Sequence, residues 1–341
     1  MTRRLRLRFG GTTEGGTPVA AVVIALLIVY TVWGSTYYAI RVAIDTMPPL
    51  LMASVRFLIA GGLMYTLTVR RGDRRNDRPS LRQWRSALII GAAMLAVGNG
   101  GVTVGEQYVP SGIAALLVAT VPLWMVLLAR LFAGERLHPL AAAGIGVGLA
   151  GVALLLRPGA GGGAAVVAML ALLVSPLGWA AGSLYARRAR LPSRPLVATG
   201  MEMLAGGVVL GLAAAARGEL GQVHLHAISV RSGLAFAYLI VFGSLLAFTA
   251  YIWLLRHAST SLVATYAYVN PLVAVLLGWA LLGERITVQT LVAAGVIVVA
   301  VAMILARSPR SRPASRPDPA RDTATEAALL RSAQPPAMRP S

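Results

Sequence analysis

Cysteine and lysine are both absent from this 341-residue chain, and all 31 of its basic residues are arginine. Without cysteine there is no disulfide, no thiolate zinc site, no iron–sulfur ligation and no thiol nucleophile. Without lysine there is no phosphate-binding P-loop of the usual form, no Schiff base and no pyridoxal attachment. Charge is scarce as well. Only 13% of the residues are charged and 57% are hydrophobic, whereas a soluble chain carries about 25% charged residues. That composition places the protein in a bilayer. A net charge of +19 suits nucleic acid only where the arginines share a face or stripe, so their distribution decides the matter.

What the chain does have is apolar runs. A helix of about 20 residues crosses about 30 Å of hydrocarbon, and ten runs qualify: 19–40, 50–69, 86–104, 111–132, 140–156, 164–186, 196–216, 233–255, 261–282 and 288–306. Breakers separate them, among them Pro48-Pro49, the Pro158-to-Gly163 stretch and Pro192 to Pro195. Positive residues are retained on the cytoplasmic side of short loops. With ten spans and both termini inside, 24 arginines fall on the inner side, against Arg157, Arg217, Arg231 and Arg285 outside. The charge therefore reads as topology, and nucleic acid is not expected as a partner.

Residues 1–16 read as a short cytoplasmic segment. The apolar run after it is too long for a signal-peptide core and lacks a small-residue cleavage site, so it is the first span. The stretch 307–341, rich in Pro, Ser, Arg and Ala, reads as a disordered cytoplasmic tail whose arginines lie against anionic headgroups.

The chain repeats itself. Ser111–Leu156 lies on Thr260–Leu305 at a constant offset of 149, with 14 of 46 positions identical, including Pro122 on Pro271 and Gly134-Glu135-Arg136 on Gly283-Glu284-Arg285. A weaker match sets Leu58–Gly62 on Met203–Gly207. Two copies of five spans follow, 17–156 and 164–306, and because five is odd the second enters the membrane inverted. Inverted repeats are a feature of secondary transporters, whose site lies near the midplane between the halves.

Trp33 to Arg41, Met47 to Ala60, Glu106 to Leu117 and the paired Pro…Gly-Glu-Arg segments together resemble the EamA-type family of the drug/metabolite transporter superfamily. The resemblance runs from about residue 17 to 306 and implies an all-α membrane protein: ten transmembrane helices as two inverted five-helix repeats around a central cavity. It also implies export of amino acids or other small metabolites, with no single substrate and no cofactor.

Charges within spans need a reason. Glu202, in the seventh span, is either a proton site or substrate-ammonium partner, or a packing contact across helices. Arg56, in the second, either holds the repeat together through a carboxylate or helix-end carbonyls, or faces a substrate carboxylate. Glu106, at the end of the third, serves gating or capping. Arg41 and Arg130 are close enough to span ends to snorkel, and the two Gly-Glu-Arg turns read as helix-ending architecture.

The polar aromatic clusters point to binding. Trp33 and Tyr37 are four residues apart and share a helix face, as do Tyr266 and Asn270. With Trp179 and Asn99 they form the expected substrate-binding set; an interfacial belt or plain helix packing is the alternative. Pro122 and Pro271 leave the carbonyls of Val118 and Ala267 without helical partners, so kinks are expected at both. Gly144/Gly148 and Gly207/Gly211 are pairs at which helix backbones approach. His224 and His226 fall in a connection and read as solvated rather than metal-binding.

The expectation is thus a secondary exporter, embedded in the lipid bilayer and carrying a small molecule by alternating access, with Glu202 as a candidate for proton coupling. A membrane enzyme acting on a lipid-linked substrate would need acid/base or metal residues clustered at one interface, which the sequence does not offer. A channel or sensory subunit shares the architecture and differs in saturability.

Overall fold

A computed structural model of the chain describes residues 18–70, 79–133, 138–156, 162–258 and 260–306. The segment 1–16 and the tail 307–341 lie outside the described residues, as do Glu135 and Arg136. Ten helices follow: α1 (Val19–Ala43), α2 (Pro49–Arg70), α3 (Leu81–Gly105), α4 (Ser111–Phe132), α5 (Pro139–Leu156), α6 (Val167–Ala186), α7 (Pro195–Ala216), α8 (Val230–His257), α9 (Tyr266–Leu282) and α10 (Val288–Leu305). All but α9 are both long and apolar enough to span a bilayer by themselves. A one-turn helix, Thr260–Val263, leads into α9 and completes its length. The described residues contain no strand, as expected where water is not available to satisfy a sheet edge.

The packing repeats with the sequence. Helix α2 packs along α7, and α5 along α10. Helix α6 packs against α3 and α4, and its counterpart α1 packs against α8 and α9. Each pair maps onto another, or onto itself, when five is added to the helix number, which is the signature of two five-helix repeats sharing one core.

Small residues bring the paired helices together. A Cβ on Gly61 of α2 would lie 2.8 Å from the Leu204 nitrogen and 2.9 Å from the Gly200 carbonyl of α7. Phe57, Met203 and Leu210 fill the space along that crossing and are fully buried. Gly144 of α5 approaches the Ala300 carbonyl of α10 to the same degree. With no hydrophobic drive between helices in lipid, such close dispersion contact holds the pairs.

Several spans are not plain α-helices. Val29–Trp33 in α1, Gly91–Asn99 in α3 and Leu239–Leu246 in α8 are wound as π-helix. The fourth span breaks at Ala119–Thr120, just before Pro122, and the sixth turns at Leu173, three residues before Pro176. Helix α9 continues through Pro271, and its span is interrupted at Ala264–Thr265. There the backbone closes short turns, Thr265 to Leu262 at 3.3 Å and Tyr268 to Thr265 at 3.0 Å. The Thr265 hydroxyl also bonds the Tyr30 hydroxyl of α1. The break thus lies more than a turn upstream of the proline, beside the Tyr30–Thr265 contact.

Candidate functional site

The irregular stretches converge on one cavity. It lies between α1, α2, α3 and α4 of the first half and α6, α8 and α9 of the second. Its volume is about 120 Å³, room for several waters or a small metabolite. All six residues of the expected binding set line it: Trp33, Tyr37, Asn99, Trp179, Tyr266 and Asn270. Arg56 and both prolines, Pro122 and Pro271, also reach its wall.

One wall is aromatic. The Trp33 ring packs against Phe248 at 5.1 Å, Tyr251 at 5.0 Å and Tyr266 at 5.4 Å between centroids, mostly edge to face. That geometry suits the ring quadrupoles and locks the wall. The Trp33 indole nitrogen donates to the Gly243 carbonyl at 3.2 Å. Four-residue spacing on α1 and α9 brings Trp33 with Tyr37, and Tyr266 with Asn270, to the same side. In the orientation that satisfies it, the Asn270 amide donates to the Tyr30 carbonyl at 3.3 Å and the Tyr266 carbonyl at 3.2 Å. Asn270 therefore ties α1 to α9 at the cavity edge.

The opposite wall depends on close helix approach. A Cβ on Gly98 would sit 3.3 Å from the Trp179 ring, and one on Gly101 would collide with Ser175. Two buried polar atoms here, Asn99 Oδ1 and Ser175 Oγ, have no hydrogen-bond partner.

Arg56 is 2% exposed. Its Nε donates to the Ser244 hydroxyl at 2.9 Å and its guanidinium carbon lies 4.8 Å from the Phe57 ring centroid. It makes no ion pair among the described residues; the pair seen there is Arg217 with Glu219. Neither alternative partner from the sequence, a protein carboxylate or a helix-end carbonyl, meets this guanidinium.

The acidic residues lie elsewhere. Glu202 on α7 is partly buried and is not part of the cavity wall. Glu106 caps the end of α3, fully buried, with both carboxylate oxygens unpartnered. Its backbone carbonyl accepts from the Arg41 guanidinium, so Arg41 links α1 to the α3–α4 turn. Burial, and next the nearby Glu284, hold the Glu106 carboxyl well above the ordinary carboxylate range, with Arg41 pulling the other way. Glu284 accepts from the Ser111 and Gly112 amides at 2.7 and 3.2 Å, capping the start of α4. Its capping role matches the architectural reading of Gly-Glu-Arg, but the helix capped belongs to the other repeat. His224 and His226 are exposed, and no metal-holding cluster occurs among the described residues.

Phe248 and Tyr251 escaped the sequence reading because α8 is apolar around most of its surface, leaving no face to single out. Ser175 carried a faint signal, sitting one residue before Pro176 in an otherwise apolar run.

Comparison with known proteins agrees with this architecture. The model of the EamA-like transporter family matches residues 20–157 and again 166–306. The inner membrane transporter YedA of Escherichia coli K12 is 46% identical over 282 residues, covering 82% of this chain and 89% of its own. The transporter YvbV of Bacillus subtilis is 27% identical over 296 residues, 85% of this chain and 94% of its own. A Streptantibioticus cattleyicolor protein named "probable terminal-alkyne amino-acid exporter" is 34% identical over 142 residues, 40% of this chain and 44% of its own. A solved crystal structure superposes with a TM-score of 0.59 at 23% identity, covering 84% of this chain and 97% of that one, and so shares the fold. With ten apolar helices and a family match over both halves, this multi-pass membrane protein belongs to the EamA-like transporter family.

Proposed function

We propose that the protein is a secondary exporter of the cytoplasmic membrane that moves small amphipathic metabolites, amino acids or drug-like compounds by alternating access, and that it is not an enzyme. The observation that carries this reading is the meeting of Trp33, Tyr37, Asn99, Trp179, Tyr266 and Asn270 at one cavity between the two halves. Aromatic faces hold the apolar part of the solute, and the amides and hydroxyls orient its polar end. The 24-to-4 distribution of arginines supports both termini in the cytoplasm. Export of an amino-acid derivative by the Streptantibioticus relative fits this direction.

For proton coupling, the burial of an unpartnered carboxylate favours Glu106 over Glu202. Substrate is to be found by screening cells lacking or overproducing the protein against amino acids and toxic compounds. Uptake of that substrate into inside-out vesicles then tests the site: Tyr266→Ala and Trp179→Ala each reduce flux about tenfold or more while the folded protein persists. Full flux in both variants would remove these residues from the site. Unchanged pH dependence in Glu106→Gln excludes coupling through Glu106, and the same outcome in Glu202→Gln excludes Glu202.

A further inference from the structure

Arg56 stands out among the cavity residues because its charge is unanswered. Its side chain is 2% exposed, its Nη1 is buried without a hydrogen-bond partner, and no carboxylate pairs with it among the described residues. What surrounds it is neutral: Ser244 on Nε, the Phe57 ring, and Gly243, where a Cβ would come within 3.2 Å of both Arg56 Nη2 and the Thr36 methyl. The backbone of α8 at Gly243 thus leaves just enough space for the guanidinium. A lone cation in such surroundings is costly, and its usual remedy is an anion with hydrogen bonds to the planar fork. The cavity it borders is also lined by Ser175, whose buried hydroxyl has no hydrogen-bond partner and is able to donate to an anion.

The geometry points to a carboxylate subsite at Arg56: the transported solute carries an anionic carboxylate that pairs with this guanidinium, its apolar body lying against Trp33 and Trp179. The inference rests on the transporter reading above and narrows its substrate to one charge class. A carboxylate supplies the counter-charge that no described residue gives this guanidinium. An amide of the same shape offers Arg56 a neutral acceptor only, and an amine brings a second positive charge to the same wall.

The test uses the full chain in lipid nanodiscs and three probes sized for the cavity: 4-methylpentanoate, 4-methylpentanamide and 4-methylpentylamine. Binding is read by titration calorimetry. The wild type binds the carboxylate at least about tenfold more tightly than the amide, and the amine least of all. Arg56→Gln erases the gap between carboxylate and amide while amide binding stays, and Arg56→Lys keeps part of it. Should the glutamine variant fail to fold, the wild-type series decides alone. Equal binding of carboxylate and amide, tightest binding of the amine, or binding of none of the three overturns the subsite. Such a result with vesicle flux still sensitive to Tyr266→Ala and Trp179→Ala leaves the transporter reading in place; flux insensitive to both removes that reading whatever the charge preference.

Discussion

At the scale of single residues, the buried polar atoms divide into those the fold satisfies and those it leaves waiting. Asn270, Trp33 and Glu284 each find backbone partners. Arg56 Nη1 and both Glu106 oxygens do not. Glu106 has Arg41, Glu284 and Tyr37 around it, and its raised pKa has a definite sign for stability. A carboxyl whose folded pKa lies above its unfolded one contributes most when both states are protonated, and stability falls as pH rises from the ordinary glutamate range through the folded value. Thermal unfolding of Glu106→Gln should therefore lose the part of the downward slope between those limits that wild type shows. A wild-type slope that persists in the variant would place the titration elsewhere. Sequence could locate these charges in their spans, because the composition around them is so apolar. It could not tell that Arg56 lacks a carboxylate, since pairing depends on which helices α2 faces.

At the scale of helices, spacing carried the site a long way. Trp33 with Tyr37, and Tyr266 with Asn270, were placed on shared faces by a separation of four, and each pair reaches the cavity. The span limits were legible for the same reason, hydropathy being the dominant constraint in lipid. The π-wound stretches were not, because they are set by packing between helices rather than by any local residue preference. Each of them meets the site region: Trp33 and Asn99 line the cavity, and Gly243 and Ser244 hold Arg56. Widened turns of this kind commonly mark functional sites. The break at Ala264–Thr265 escaped for a related reason, since no breaker residue marks it in the sequence and its contact with Tyr30 is a property of the fold.

The α2–α7 crossing gives a paired prediction at this scale. Gly61 faces α7 backbone within 3 Å of a would-be Cβ, while a Cβ on the neighbouring Gly62 meets nothing within 4 Å. Gly61→Ala should lower stability by about 1–3 kcal/mol through overpacking. Gly62→Ala should be neutral or raise it by up to about 1 kcal/mol through helix propensity. Denaturant unfolding in detergent separates the two, and equal effects would mean that the crossing is looser than described.

At the scale of the whole molecule, the helix pairing bears on the alternating access proposed above. The cavity is walled by α1–α4, α6, α8 and α9, while α7, α5 and α10 stay off it. The proposed rearrangement therefore predicts that the α2–α7 and α5–α10 pairs hold as seams while the α1–α9 and α4–α9 contacts near the breaks change. Glu284 crosses between the repeats at one such place, its carboxylate on the α4 amides. The repeat was legible from Gly-Glu-Arg at an offset of 149, but that the motif reaches into the other repeat is a property of the fold.

The unanswered charge of Arg56 also bears on energy supply. If the carboxylate at Arg56 is the solute's only charge, each uncoupled transport cycle moves a net negative charge, whereas a zwitterion moves none. The interior of a cell is electrically negative, and 100 mV is worth about 2.3 kcal/mol per charge, roughly 50-fold in concentration ratio. Under the proposed export, expelling such a monoanion is electrically downhill, and the membrane potential alone is able to drive its accumulation outside. In proteoliposomes, flux of the carboxylate probe away from the arginine-rich end should rise when valinomycin and potassium make that side negative and fall when the potential is reversed. Flux that ignores the potential would mean that a proton travels with the anion, returning the energy supply to Glu106 or Glu202.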